Sequence, residues 1–124
     1  MKKKTIILCI FLFSFSLIYA KRTPAPEVPS IIHNGYEYIV NYSDGFFKGK
    51  GQIIIKSVTD SKIKEIISVY SVWYNPFTER DVQWVFIKQI ELVDNDTMRI
   101  YNENDDIFDL NLINHKVKKI KKSE

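Results

Sequence analysis

Short runs of β-branched and aromatic residues, cut at close intervals by turn-forming clusters, constrain this chain more than any other feature. Val, Ile, Tyr, Phe and Trp fit a pleated, half-buried surface, while Asn, Asp, Gly and Pro supply the backbone angles that reverse a chain. Residues 31–42 (IIHNGYEYIVNY) read as a short extended lead, an Asn34-Gly35 turn and a strand, and Asn-Gly is the strongest two-residue hairpin signal. Gly35 is accordingly a structural residue. Ser43-Asp44-Gly45 makes the next turn. Residues 46–58 (FFKGKGQIIIKSV) follow, with Gly49 and Gly51 marking a bulge or a close backbone approach. Residues 63–74 (IKEIISVYSVWY) fit a helical stripe, but their β-branched and aromatic density between two turns points to a long strand. Residues 82–93 (VQWVFIKQIELV) alternate with Val82, Trp84, Phe86, Ile90 and Leu92 on one face, and Val85 and Ile87 make the other face apolar as well. Met98 and Ile100, then Phe108, Leu110 and Leu112, alternate with polar positions on either side of a turn at 102–106, which is a hairpin pattern. The expected fold is all-β: five or six antiparallel strands in a small sandwich or a curled, blade-like meander.

The first twenty residues depart from this pattern. Lys2, Lys3 and Lys4 precede an apolar run over residues 5–18 and the small Ala20, the arrangement of an export signal cleaved near Ala20. The run is shorter than the about 20 apolar residues that span a bilayer. The chain then divides into a signal at 1–20, a Pro-rich extended lead at 21–30, a single β domain at 31–115 and a Lys-rich tail at 116–124. The mature protein is expected in the periplasm or the medium. Removing the signal removes Cys9, the single cysteine. A disulfide framework, a thiol nucleophile and thiolate metal sites are thereby excluded, and stability has to come from an apolar core. It also removes three of the 18 basic residues, leaving 15 against 15 acids. Residues 21–115 carry 10 basic and 14 acidic groups, while 116–124 carry five lysines and Glu124. A folded body of net negative charge argues against nucleic acid as a partner. The lysines of the tail would be weakly attracted to an anionic membrane surface, or would keep a sheet edge from pairing with a neighbour.

Constellations that carry chemistry are sparse. His33 and His115 stand far apart with no i, i+4 partner, so no metal site is expected from them. The acidic turns at 94–96 and 102–106 lack the ligand spacing of a calcium loop and read as hairpin turns. Gly49-Lys50-Gly51 lacks the third glycine and the following helix of a phosphate loop. None of the seven serines beyond the signal sits in a Gly-x-Ser-x-Gly elbow. Glu79 and Asp81, at i, i+2 in an extended chain, would share one side, which leaves paired-carboxylate hydrolysis open, with Arg80 between them favouring a solvated loop. No cofactor is implied.

The most distinctive stretch is residues 69–87, VYSVWYNPFTERDVQWVFI. Together with PAPEVPSIIHNGYEYIV near the start and IYNENDDIFDLNL near the end, it resembles a functionally uncharacterised family of small exported bacterial proteins. In that family a Pro-rich lead precedes a V-x-H-x-G turn, and a V-Y-x-V-x-Y-x-P-x-x-E-x-D-V-Q-x-V-F-I core precedes a terminal hairpin. Pro29, His33, Gly35, Val69, Tyr70, Tyr74, Pro76, Glu79, Asp81, Val82, Gln83, Val85, Phe86 and Ile87 occupy the matching positions, over most of residues 25–113. The resemblance implies an architecture and an exported compartment and carries no activity with it. The middle and end are also similar to one blade of a quinoprotein-type propeller, although the chain has material for little more than one blade.

Within the core stretch, Pro76 fixes the turn after Tyr74. Glu79 and Asp81 would hold the loop through backbone amides or Arg80, with Gln83 as a polar anchor and Trp84 in a structural role. The candidate binding loop is Tyr74, Phe77, Glu79, Arg80 and Asp81, with Trp73 or Trp84 as further aromatic surface. Aromatic and arginine side chains carry a disproportionate share of binding energy. The leading expectation is a non-enzymatic domain that binds a protein or an envelope component. One alternative is a periplasmic inhibitor or immunity protein that inserts this loop into another enzyme. Another is an envelope-acting hydrolase with Glu79 and Asp81 as its acids.

Overall fold

Turn chemistry places every strand beside its sequence neighbour. The structure, a computed structural model, describes residues 24–121; the export signal expected at 1–20 lies outside them. Among the described residues eight strands form: β1 (Ile31–His33), β2 (Tyr36–Asp44), β3 (Lys48–Ser57), β4 (Ile63–Trp73), β5 (Ile87–Asp94), β6 (Thr97–Asn102), β7 (Ile107–Asn111) and β8 (Val117–Lys121). They build two four-stranded antiparallel meanders, β1-β2-β3-β4 and β5-β6-β7-β8, whose inner faces share one core. The all-β class is as the pattern predicts, in the form of a sandwich of two blade-like meanders.

The strand count exceeds the expected five or six for identifiable reasons. The lead before Asn34-Gly35 is itself a strand. Positive φ at Asn34 (52°) and Gly35 (82°) folds it back so that Ile31 pairs with Tyr38. Residues assigned to a charged tail form β8, which pairs with β7 from Leu110↔Val117 to Ile107↔Lys121. Val117 packs against the core, and the lysines beside it lie on an edge strand, where charge discourages pairing with another chain. The sheet therefore extends past the boundary expected at residue 115.

Residues 82–93 also depart from their expected form. Strand β5 starts only at Ile87, Asp81–Gln83 is one 3-10 turn, and Val82 is exposed while Val85, Ile87 and Ile90 are buried. Lys88 is an extra residue in β5, because Ile87 pairs with Asn102 and Gln89 with Tyr101. This bulge turns Ile87 and Ile90 to the same face and breaks the simple alternation.

Elsewhere alternation decides the core. Strand β3 alternates along its whole length, burying Gly49, Gly51, Ile53, Ile55 and Ser57. In the β6–β7 hairpin Met98 pairs with Leu110 and Ile100 with Phe108, all four buried. The outer face of the second sheet carries a row of alternating charge, Glu91↔Arg99↔Asp109↔Lys118. Within it Arg99 grips Asp109 through two hydrogen bonds of 2.9 and 3.1 Å. The first sheet instead presents the row Ile39↔Ile54↔Ile66.

Gly49 and Gly51 mark a close approach, made by side chains. Tyr42 and Tyr70 flank Gly51 on β2 and β4, and a Cβ on Gly51 would fall inside the Tyr70 ring. At Gly49 it would meet the hydroxyls of Tyr42 and Tyr74. The vacated space lets the rings lie across β3 and reach the second sheet. Tyr70 stacks on Phe108 at 5.4 Å and donates a hydrogen bond to the Val85 carbonyl, and Tyr42 meets Phe86 edge-on at 5.0 Å. A bulge also appears here, with Val69 as the extra residue of β4.

Two outcomes follow from this packing. Gly51→Ala forces Tyr70 off its site and should destabilise the fold by about 1–3 kcal/mol, the usual cost of overpacking, measured by urea unfolding. Burial holds the Tyr70 phenol well above its ordinary value, with Tyr42, Glu103 and Asp106 adding to the effect. Because the folded value exceeds the unfolded one, this stabilisation is complete below pH about 10 and is lost as pH rises further. Alkaline unfolding followed by circular dichroism should therefore coincide with tyrosine ionisation read by ultraviolet absorbance, and Tyr70→Phe should shift that transition upward.

Candidate functional site

Antiparallel meanders bring alternate turns to opposite ends of the sandwich. One end holds the β2–β3 turn and the connection from β4 to β5. Gly45 donates to the Lys48 carbonyl at 2.9 Å and closes the β2–β3 turn. Phe46 and Phe47 are left outside it, their rings edge-to-face at 4.6 Å. The connection bonds directly to this tip: Tyr74 N–H donates to the Phe47 carbonyl and Arg80 Nη2 to the Phe46 carbonyl, both at 3.0 Å. The Arg80 guanidinium lies 5.8 Å from the Phe46 ring and 5.5 Å from the Tyr74 ring, and Lys48 sits over Trp73 at 4.8 Å.

Gln83 organises the loop between Asn75 and the 3-10 turn. Its Oε1 accepts from the Asn75 N–H, and its Nε2 donates to the carbonyls of Asn75, Thr78 and Glu79 at 3.0, 3.1 and 3.2 Å. Asn75 Oδ1 accepts from the Phe77 N–H at 2.9 Å. This network follows Pro76 and presents Phe77 at the loop apex. The result is a concentration of bare apolar rings: Phe77 is 96% exposed, Phe46 75%, Trp73 71% and Phe47 69%. The Phe46-Phe47 ridge separates two clefts. One, about 370 Å³, is lined by Lys48, Lys50, Gln52 and Trp73; the other, about 420 Å³, by Tyr74, Pro76, Arg80 and Gln83.

The structure thus brings Tyr74, Phe77, Arg80, Pro76 and Gln83 into one site. Tyr74 is half-buried, and its hydroxyl donates to Asp44 Oδ1 at 2.6 Å. Desolvation, reinforced by the bonds to Asp44 and Tyr42, raises its phenol and keeps it protonated. Among the described residues the loop is tied by Arg80, which reaches the Phe46 carbonyl, and by Gln83, and Glu79 and Asp81 line neither of the two clefts. Trp84 faces inward beside Tyr42 and Phe86, its Nε1 buried without a hydrogen-bond partner among the described residues. Gly35 belongs to the opposite end. Sequence reasoning missed Phe46 and Phe47. The signal was available, since two adjacent aromatics at a strand edge cannot both point inward.

At the opposite end, His33 and His115 line a single cleft between the sheets. Among the described residues, no three His, Cys, Asp or Glu side chains converge to hold a metal ion. Replacing Gln83 with Ala should free the loop and cost about 1–3 kcal/mol through the unsatisfied backbone groups it leaves. Hydrogen exchange should then quicken at Asn75 and Phe77, while the core strands keep their protection.

No family model matches this sequence, and neither the curated proteins nor the solved structures contain a match.

Proposed function

We propose that this is a small exported, non-enzymatic β-domain that binds a protein partner through its aromatic end. One observation carries the reading: four large apolar rings stand exposed on a tip whose backbone is tied down by Gln83 and Arg80. Aromatic rings carried on a backbone that is fixed before contact spare the cost of ordering that backbone on binding, which favours a few residues dominating an interface. The charges near them are mixed: Lys48, Lys50 and Arg80 line the clefts, and Asp44, Glu79 and Asp81 belong to the same turn and connection. Mixed charge around an aromatic centre suits a protein surface better than a uniform polyanion. Export rests on the order of lysines, apolar run and Ala20 at the N-terminus, and the resemblance to small exported proteins supports it.

A second reading draws on the shape of the same loop. Phe77 projects from a tethered, convex turn, the form of a plug for a cleft in another protein, and this favours an inhibitor or immunity role for the same surface.

The test is capture from envelope extract with mature protein as bait, followed by titration of the recovered partner. Phe46→Ala and Phe77→Ala should each weaken binding about tenfold or more, equivalent to roughly 1.4 kcal/mol or more, with an unchanged thermal midpoint. Affinity in both variants equal to that of the unsubstituted protein would sink the proposal. Recovery of lipid or polysaccharide in place of a protein would move the partner to the envelope itself.

A further inference from the structure

The cleft at the histidine end is independent of the aromatic tip and has the construction of a small-molecule site. It encloses about 420 Å³ between the two sheets, within the range of cavities that hold small ligands. Both walls are cross-braced. His33, on β1 of the first sheet, donates from Nε2 to the Asn95 carbonyl in the β5–β6 turn at 2.8 Å. His115, in the β7–β8 turn, pairs through Nδ1 with Glu65 on β4. Each histidine therefore ties one sheet to the other, and the space between them exists before any ligand arrives.

The lining is unequal in a way that selects chemistry. Ile55 and Leu112 supply apolar surface. Tyr38 is 3% exposed and lines the cleft. Its phenol O–H is a donor available to a ligand seated in the cleft. Burial and the neighbouring Tyr36 raise its pKa and keep the proton on it. Lys64 reaches the same cleft from a bulge position of β4. Its pairing with Asp60 is loose, at 3.7 Å with both side chains half exposed. Asp96 on the opposite rim places one negative charge there, which disfavours a second anionic group on a ligand.

We propose that this cleft binds a small monocarboxylate with an apolar body. The carboxylate is taken by the Tyr38 hydroxyl and the Lys64 ammonium, and the hydrocarbon lies against Ile55 and Leu112. Hydrogen bonds to an ionised carboxylate are the strong kind, and the apolar floor adds affinity in proportion to the area it covers.

The test uses hexanoate and benzoate as probes, with hexanamide and benzamide as neutral isosteres and succinate as the dianion. The chain has only two histidines, and both line this cleft, so their ring resonances report on it without assignment of the whole spectrum. Both acids should shift the two histidine signals saturably, the amides should not, and succinate should bind more weakly. Tyr38→Phe and Lys64→Gln should each raise Kd about tenfold with an unchanged thermal midpoint. Lys64 is exposed, so Lys64→Gln remains decisive if Tyr38→Phe does not fold. The proposal is overturned if neither acid gives a saturable shift, if the amides bind as tightly as the acids, or if affinity survives in the folded variants. Shifts confined to the aromatic end would overturn it equally, and leave the reading of that end untouched.

Discussion

The tyrosines laid across Gly49 and Gly51 are the joint on which the rest of this molecule hangs. A strand residue with a side chain would hold Tyr42, Tyr70 and Tyr74 away from β3. Two glycines in alternate, inward-facing positions let the rings settle onto the backbone itself. From there Tyr70 stacks on Phe108 and binds the Val85 carbonyl, Tyr42 touches Phe86, and Tyr74 bonds Asp44. Glycine weakens a strand by itself, and the covering aromatic ring returns what the missing side chain gave up. The same rings fix where the chain crosses from the first sheet to the second. They therefore also fix the position of the loop that carries Phe77.

The two ends of the sandwich are built from the same parts and have opposite character. At one, the turns push aromatic rings outward onto a ridge. At the other, they draw polar side chains over an apolar gap between the sheets. The difference originates in turn composition, Gly45-Phe46-Phe47 against Asn34-Gly35 and Asn95-Asp96, since the strands contribute a continuous core throughout. The strands supply rigidity and the turns supply chemistry, the usual division of labour in a β scaffold.

Much of the fold was legible in the residues, and the illegible parts share one cause. The Asn34-Gly35 hairpin, the long strand over 63–73 and the inward faces of β6 and β7 are all local patterns of two to ten residues. Local pattern also gave the all-β class. Bulges defeated it in β5, where Lys88 inserts one residue and reverses the faces on either side. Charge hid β8, because an edge strand needs only one apolar anchor, here Val117, and lysine is favoured on its rim. Within the candidate loop, side-chain identity pointed to Tyr74, Phe77 and Arg80. It also named Gln83 as a polar anchor beside Glu79 and Asp81, and the Gln83 amide offers both a donor and an acceptor to a loop short of both. The joining of His33 and His115 was invisible, because it depends on how two complete sheets face one another.

Every strand among the described residues pairs only with its neighbour in sequence, and that has a consequence for how the two halves of the core meet. Each meander closes through short loops, so its strand pairings are local in sequence, and the long-range contacts are those of the one core the two sheets share. The segment that connects the sheets is drawn in on itself. Arg80 anchored to Phe46, Gln83 folded over its own loop, and Phe86 and Glu103 bonded main chain to main chain and to side chain shorten its reach. The tether that displays Phe77 is thus also what shortens the path between the two halves of the core.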